Sequence, residues 1–410
     1  PIDHILHRPD MYVGSTRPRE LPDYISDAEE GFRISNKKIE YAPAILRIFI
    51  EPLSNAIDNV SRSQKTKTPC TNIRVNIDKT TGETSVSNDG NSIPVEFDKD
   101  HECYNHSLIF GQLLTSSNYD DDEERYNISG RNGMGVKCTN VFSSKFTITG
   151  ADPENKKLFT QEWNDNMKTT KEPVIKKFSE KKGYTKVAWI PDFKQFNIKG
   201  YTDDIIALYC RYVVDASMLS GIDVYFNDVK IPVKNLKEYS TLYLSLSSST
   251  LSDHSDDEEE NDDEEEKGKK KEEVLFINNK DEQIVLLPLN TSTTQFESVS
   301  FVNGVYTMMG GSHVDAWSEA IFRPIVHKLT TKTASYTIGD VKRYFRIFVS
   351  VKVVNPEFES QSKHKLESPV VANPKKKEID TVLKWDVIDQ IRMSKELGAL
   401  KKLEEKRTNL

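Results

Sequence analysis

Hydrophobic and polar residues repeat along this chain with two different periods. From Tyr41 to about Ser63 the period is helical: on a wheel of about 100° per residue, Leu46, Phe49, Leu53, Ala56, Ile57 and Val60 share one face. Glu51, Asn55, Asp58 and Arg62 line the opposite face, with Asn59 beside them. A solvated face usually mixes Lys with Glu, whereas this one aligns carboxamides with a carboxylate, so it reads as a candidate site. Ile73, Val75 and Ile77 then alternate as a strand, Thr80-Thr81-Gly82 turns, and Thr84 to Ser87 returns. The hairpin so predicted ends at Asn88-Asp89-Gly90. Upstream, His4 to Ser15 begins as a helix and is stopped by Pro9.

Further along, Leu108 to Leu114 reads as helical, Phe146–Thr149 and Lys186–Pro191 as strands, Ile205–Ala216 as a helix and Ile222–Phe226 as a strand. The character of the chain shifts near Pro232 to Tyr239, which predicts domains over 1–235 and 236–410. Within the second, strands at Ser298–Val302 and Tyr344–Val354 flank a helix from Val314 to Leu329, a β–α–β unit. Leu383 to Lys406, apolar at Leu383, Val387, Ile391, Leu397, Leu400 and Leu403, reads as one long amphipathic helix. The fold class expected is α/β.

Composition changes this picture in one place. The 410 residues carry a formal net charge of −8, but Asp253 to Glu273 alone holds 13 acidic and 4 basic residues, so the remainder is nearly neutral. With scarcely an apolar side chain, a stretch of about 247–273 cannot bury enough surface to order itself and reads as a disordered acidic insertion. No apolar run is long enough to span a bilayer and no leader precedes the first helix, so a reduced intracellular setting is expected for the four scattered cysteines. His101, Cys103 and His106 lack a fourth ligand and a metal-site spacing, and read as a polar loop.

Candidate chemistry centres on Gly130-Arg131-Asn132-Gly133-Met134-Gly135-Val136-Lys137. Three glycines within six residues, closed by a lysine, leave backbone N–H groups free to cradle phosphate oxygens. The spacing fits neither the usual P-loop, which needs Gly-Lys-Ser/Thr, nor the dinucleotide fingerprint. Ahead of it, Thr115-Ser116-Ser117-Asn118 opens a polar segment that would suit a lid. On the polar helical stripe, Glu51 could orient and deprotonate a water, and Asn55, one turn on, could offer a hard oxygen to Mg²⁺. Together these features point to nucleotide hydrolysis.

Glu51-x-x-x-Asn55-x-x-Asp58-Asn59, Asn88-Asp89-Gly90 and Gly130-x-x-Gly133-x-Gly135 resemble, in order and spacing, the Bergerat-type ATP fold of gyrase, the ninety-kilodalton heat-shock chaperone, histidine kinases and MutL. His4 to Ser15, Ile109 to Tyr119, Gly311-Ser312-His313-Val314-Asp315 and Gln361-Ser362-Lys363 narrow the resemblance to the eukaryotic-type DNA topoisomerase II family. That resemblance implies a two-layer α/β sandwich ATPase domain, then a smaller transducer domain ending in a long helix. It implies Mg²⁺ at Asn55, adenine at Asn88, and ribose and phosphates at Ser116, Ser117 and Asn118. The triphosphate would lie along Gly130 to Lys137, with Asp58 and Asn59 in the same ATP site, and Gln361, Ser362 and Lys363 would meet the γ-phosphate. It further implies dimer-clamp closure on ATP binding, hydrolysis coupled to DNA strand passage through the full-length enzyme, and a nuclear location. The strap that precedes this region in the family and the DNA-cleaving regions are expected outside this sequence. A MutL-like DNA-repair ATPase and a non-hydrolysing nucleotide-gated interaction module are the alternatives. Three departures stand out. Pro52 inside the helix removes a backbone hydrogen bond, worth about 3 kcal/mol, and predicts a bend beside Glu51. Asn88-Asp89-Gly90-Asn91-Ser92 lacks the second glycine of the family's Gly-x-Gly, Ser92 standing in its place, and the second domain's basic loop is reduced to Lys328 and Lys332.

Overall fold

The computed structural model describes residues 2–113, 134–243, 273–289, 291–360 and 363–408. They form two compact units, Pro1–Leu244 and Ser245–Leu410. The acidic insertion falls almost entirely outside the described residues.

The first unit opens with α1 (Ile2–His7) and a hairpin of β1 (Arg19–Asp27) and β2 (Arg33–Tyr41). Next comes α2 (Pro43–Ser63), which starts with a proline where a missing N–H costs nothing. Leu46, Phe49, Leu53, Ala56 and Val60 are buried as their spacing predicts, whereas Ile57 is only half-buried. Pro52 sits inside this helix without ending it. The chain continues through β3 (Asn72–Ile77) and β4 (Thr84–Asp89), the predicted hairpin, paired antiparallel with Val75 opposite Val86. A small ladder of β5 (Phe97–Asp98) and β6 (Cys103–Tyr104) leads into α3 (Asn105–Gly111). The expected helix at Leu108 to Leu114 therefore starts earlier and stops earlier. At Gly111 a side chain would strike the Trp163 indole, at 2.3 Å from an added Cβ, and Gln112 is already extended.

After α4 (Gly135–Val141) come β7 (Ser143–Asp152), β8 (Lys157–Asn164), β9 (Thr169–Thr170), β10 (Val174–Lys177) and β11 (Tyr184–Pro191). They are followed by α5 (Asp203–Ser220), β12 (Asp223–Phe226), β13 (Val229–Lys230) and α6 (Leu236–Thr241). The strands build one sheet in the order β10-β8-β7-β11-β4-β3-β12-β13, with β9 on β8; β12 joins β3 in parallel. Along β3 only Ile73, Val75 and Ile77 are buried, so one face of the sheet carries the core and the other stays half-wet. Helices cover the core face: Phe49 of α2 stacks on Tyr209 of α5 at 3.9 Å and lies 6.4 Å from Trp189 of β11. This is the two-layer α/β sandwich.

The β1–β2 hairpin, absent from the sequence reading, is held to α5 by a buried polar cluster. Arg211 is fully buried, with Nε 3.0 Å from Asp215 Oδ2 and Nη1 3.8 Å from Asp23 Oδ1. Tyr41 donates to Asp23 at 2.9 Å and Tyr239 of α6 to Asp215 at 2.6 Å. Burial pushes the Asp215 carboxyl up to about 6, against the pull of the Arg211 guanidinium.

In the second unit β14 (Leu275–Asn278), β15 (Glu282–Pro288), β16 (Glu297–Val302) and β17 (Val305–Tyr306) precede α7 (Ser312–Leu329), α8 (Ile338–Lys342) and β18 (Phe345–Val351). The sheet order is β14-β15-β18-β16-β17, and β16 and β18 run parallel with α7 between them in sequence, the expected β–α–β unit. Trp317, Ile321, Phe322 and Ile325 of α7 join Ile284, Leu286, Phe345 and Ile347 in its core. The C-terminal helix expected from Leu383 to Lys406 is α10 (Asp386–Thr408), starting three residues later, and a separate short helix, α9 (Lys376–Val382), precedes it. Leu383 to Trp385 form the break between them. Val387 and Ile391 are buried while Leu397 and Leu400 are exposed, so only the start of α10 packs within the unit.

Candidate nucleotide site

Glu51 sits halfway along α2, and its carboxylate is half-buried. Arg47, one turn earlier, donates to Glu51 Oε1 at 2.7 Å. The N-terminus of α4 closes on the other side. A Cβ built on Gly135 would lie 1.8 Å from Glu51 Oε2, so only a glycine allows this approach. The next turn of α2 presents Asn55, which is exposed, and beyond it the half-buried Asp58. An accessible carboxamide oxygen one turn from a carboxylate suits Mg²⁺, which keeps several waters and takes few protein ligands. Among the described residues no cluster of three His, Cys, Asp or Glu side chains offers a metal site. His101 instead pairs with Asp98 at 3.0 Å, and His106 stacks on Phe159, where burial pushes its pKa down to about 4.

The turn after β4 is built by Asp89. Its carboxylate accepts the backbone N–H groups of Thr71 at 2.7 Å and Asn72 at 3.0 Å, together with the Thr71 hydroxyl. Burial works to raise its pKa, but these bonds outweigh that and hold it below the usual carboxylate range. Gly90 has φ +97, and a Cβ there would meet the Cys70 backbone at 2.8 Å. Asn88 is buried and donates to Asp89 O at 2.9 Å, and Asn59 reaches from α2 to Asp89 O at 3.4 Å and Asn91 O at 3.2 Å. Thus Asn59 and Asn88 brace the turn. Beside it opens a cavity of about 410 Å³, with Arg62 and Asn91 on its polar side and Ile93, Pro94, Leu108 and Ile109 on its apolar side. Sequence reasoning missed these walls, and the signal for them was an apolar Ile93-Pro94 pair directly after a Gly turn.

Of the glycine-rich loop, Met134, Gly135, Val136 and Lys137 are described. Lys137 is buried on α4, and burial lowers its pKa from the ordinary lysine value. Beneath Glu51, burial and then the Glu51 charge push the Cys138 thiol up to about 12, so it is inert as a nucleophile. Ser116, Ser117, Asn118, Gly130, Arg131, Asn132, Gly133, Gln361 and Ser362 lie outside the described residues.

In the second unit the segment around Lys363 rests on the turn that begins α7. Met309 N donates to His364 O at 2.9 Å, Leu366 N to Gly310 O at 3.1 Å, and Ser312 N to Leu366 O at 3.0 Å. Gly311, at φ +133, is required there: a Cβ would lie 2.3 Å from Leu366 O. The Gly311-Ser312-His313 and Lys363 motifs, far apart in sequence, are thereby one structural piece. His313 is buried beneath it with Nε2 3.2 Å from the Thr307 hydroxyl, which in turn lies 2.6 Å from Ser300 Oγ.

Residues 236–399 match the family described as DNA gyrase B. The chain is 36% identical over 411 aligned positions to the DNA topoisomerase 2 of Invertebrate iridescent virus 6, covering 96% of this chain and 34% of that protein. Its structure is similar to the ATPase region of Saccharomyces cerevisiae topoisomerase II, with a TM-score of 0.77, 31% identity and 96% of each chain covered. It is similar also to the ATPase and transducer domains of DNA topoisomerase II from Balamuthia mandrillaris, with a TM-score of 0.78, 31% identity and 97% of each chain covered. The chain thus spans about a third of the length of the curated relatives it matches. No helix among the described residues is long and apolar enough to cross a membrane.

Proposed function

Since this chain belongs to the type II DNA topoisomerase family and corresponds to its ATPase region, we propose that Glu51 is the general base of ATP hydrolysis in it. The observation that carries this reading is the bare contact between Gly135 and the Glu51 carboxylate. It brings the half-buried carboxylate that begins the polar stripe against the start of the phosphate-loop helix. A base so placed needs no long reach to a water attacking the terminal phosphorus. Arg47 holds the carboxylate in one orientation by its ion pair.

In this reading the adenine occupies the cavity beside Gly90, gripped by Ile93, Pro94 and Ile109, with Asn88 and Asp58 ordering its polar rim. Ser116, Ser117, Asn118 and the stretch Gly130 to Lys137 hold ribose and phosphates, and Gln361, Ser362 and Lys363 recognise the γ-phosphate. Asn55 holds Mg²⁺, which when bound neutralises charge on the phosphate oxygens. The whole enzyme, of which this chain is the ATPase part, uses ATP to close a homodimeric clamp around DNA and pass a strand, within the nucleus.

Glu51→Gln keeps size and polarity but removes the proton acceptor. Phosphate release should fall by about 10² to 10⁴, while ATP affinity by calorimetry stays near that of the parent. Hydrolysis within a few-fold of the parent would remove Glu51 as the base.

A further inference from the structure

Pro52 follows directly after Glu51, and its effect reaches from α2 to a neighbouring helix. A residue at this position should donate its N–H to the carbonyl of Ile48, one turn back; proline has none to give. Ile48 is fully buried, so its carbonyl cannot turn to water for a replacement. The partner comes from another helix: Thr139 Oγ1 on α4 donates to Ile48 O at 2.9 Å. Thr139 is itself 0% exposed. On α4 it stands four residues after Gly135, so the two lie one above the other on the same face. α4 therefore meets α2 at two points one turn apart, Gly135 against the Glu51 carboxylate and Thr139 against the carbonyl freed by Pro52.

Building on the reading of Glu51 as the base, we infer that Thr139 is a positioning residue for hydrolysis, its hydroxyl setting the register of the phosphate-loop helix on the catalytic helix. Two dispersion-packed helices can slide by fractions of an ångström at little cost, whereas a buried hydroxyl on an orphaned carbonyl has one good arrangement. Pro52 raises the weight of that bond. A helical carbonyl can accept a hydroxyl besides its own N–H, as Ile45 O accepts Tyr209, but at Ile48 the helical N–H is missing. Loss of the Thr139 hydroxyl would therefore leave a buried acceptor unpaired, whereas a normal residue at 52 would keep it paired. The pair acts as a single device: the proline opens the acceptor and the threonine fills it. Ser143 Oγ donates to Thr139 O at 2.6 Å, and Tyr209 OH donates to Ile45 O at 2.6 Å, so the flanking backbone on both helices is pinned by other groups. The Thr139 bond links α4 directly to α2.

The test is a double-mutant cycle on the whole chain, read by steady-state phosphate release and by ATP calorimetry. Thr139→Val keeps shape and removes the donor. It should lower kcat by about tenfold to a hundredfold, the scale of a sub-ångström to 1 Å misplacement, with ATP affinity within about twofold of the parent. Thr139→Ser should retain kcat. In the Pro52→Ala background the restored N–H satisfies Ile48 O, so adding Thr139→Val there should change kcat by less than about threefold. Equal losses from Thr139→Val in both backgrounds would overturn the inference, as would an unchanged kcat in the single variant. Should Thr139→Val not fold, the comparison of Pro52→Ala with Pro52→Ala/Thr139→Val and the Thr139→Ser result still decide it. Glu51→Gln measured alongside separates the two levels: if it keeps hydrolysing, the base assignment and this inference fall together, and if it is inactive while Thr139→Val is not impaired, only the inference falls.

Discussion

The Cβ that Gly135 lacks would occupy a point 1.8 Å from Oε2 of Glu51. The obstacle is the far end of a flexible side chain, so an added methyl would displace the carboxylate rather than the backbone. Gly135→Ala should therefore leave the melting temperature within a few degrees of the parent while lowering phosphate release by about 10²-fold or more, as expected for a misplaced catalytic group. Thermal unfolding and a turnover assay on the same preparation check this. A large loss of melting temperature with turnover intact would show that the contact serves packing alone.

Gly311 presents the opposite case, because its missing Cβ would meet backbone, 2.3 Å from Leu366 O and 2.5 Å from Leu366 N. Neither atom can yield without breaking the bonds that hold the Lys363 segment to the start of α7. Gly311→Ala should destabilise the second unit by about 2 to 4 kcal/mol through steric conflict and a strained φ. Denaturant unfolding measures it, and a change below about 0.5 kcal/mol would mean that the segment repacks freely.

His313 makes stability depend on pH. Burial depresses its pKa from 6.5 to about 4, so in the folded protein it stays neutral where the unfolded chain takes up a proton. Its contribution is present above the unfolded value and is lost as pH falls from 6.5 through about 4. His106 shifts the same way in the first unit, while Asp215, raised to about 6, acts in the reverse sense: its stabilising contribution is present at low pH and is lost as pH rises through about 6. Denaturant midpoints taken from about pH 7 to about pH 4 should fall, and more shallowly in His313→Gln. An identical slope in that variant would show that His313 titrates normally.

How much of this was readable beforehand depended on whether a segment's burial follows its own period. α2 and β3 bury apolar residues at regular spacing, and α2, the β3–β4 hairpin and the β16–α7–β18 unit stand where they were expected, although β16 buries Val299 to Val302 in succession. The β1–β2 hairpin does not: its inward positions include Asp23 and Ser26, polar groups paired with Tyr24, Phe32 and Tyr41 within the hairpin and, for Asp23, with Arg211 on distant α5. β15 hides for another reason, since Ile284 to Leu287 are buried in succession and show no alternation. In the site, the polar stripe around Glu51 was legible from α2 alone, and the importance of Gly135 from its glycine neighbours. That the two touch is tertiary. The same holds for Asp89, a turn residue in sequence and the anchor of Thr71 and Asn72 in space. Pro52 was legible as a defect, and its remedy on α4 was not.

The parallel pairing of β12 with β3 bears on how the protein is made. β4 covers one side of β3 within a few residues, but the other side waits for β12, about 150 residues later in the chain. At a synthesis rate of roughly 5–20 residues per second, that side stands open for on the order of 10 to 30 s. During that interval Asn72-Ile73-Arg74-Val75-Asn76-Ile77 is an unpaired edge of a nascent sheet, the kind of template on which neighbouring chains add strands. Its alternate residues are two carboxamides and an arginine, and Arg74 later settles over the Tyr225 ring at 4.0 Å once β12 arrives. Before that the same guanidinium is a charge on an open edge, a gatekeeper against aggregation at the stage when the chain is most exposed to it.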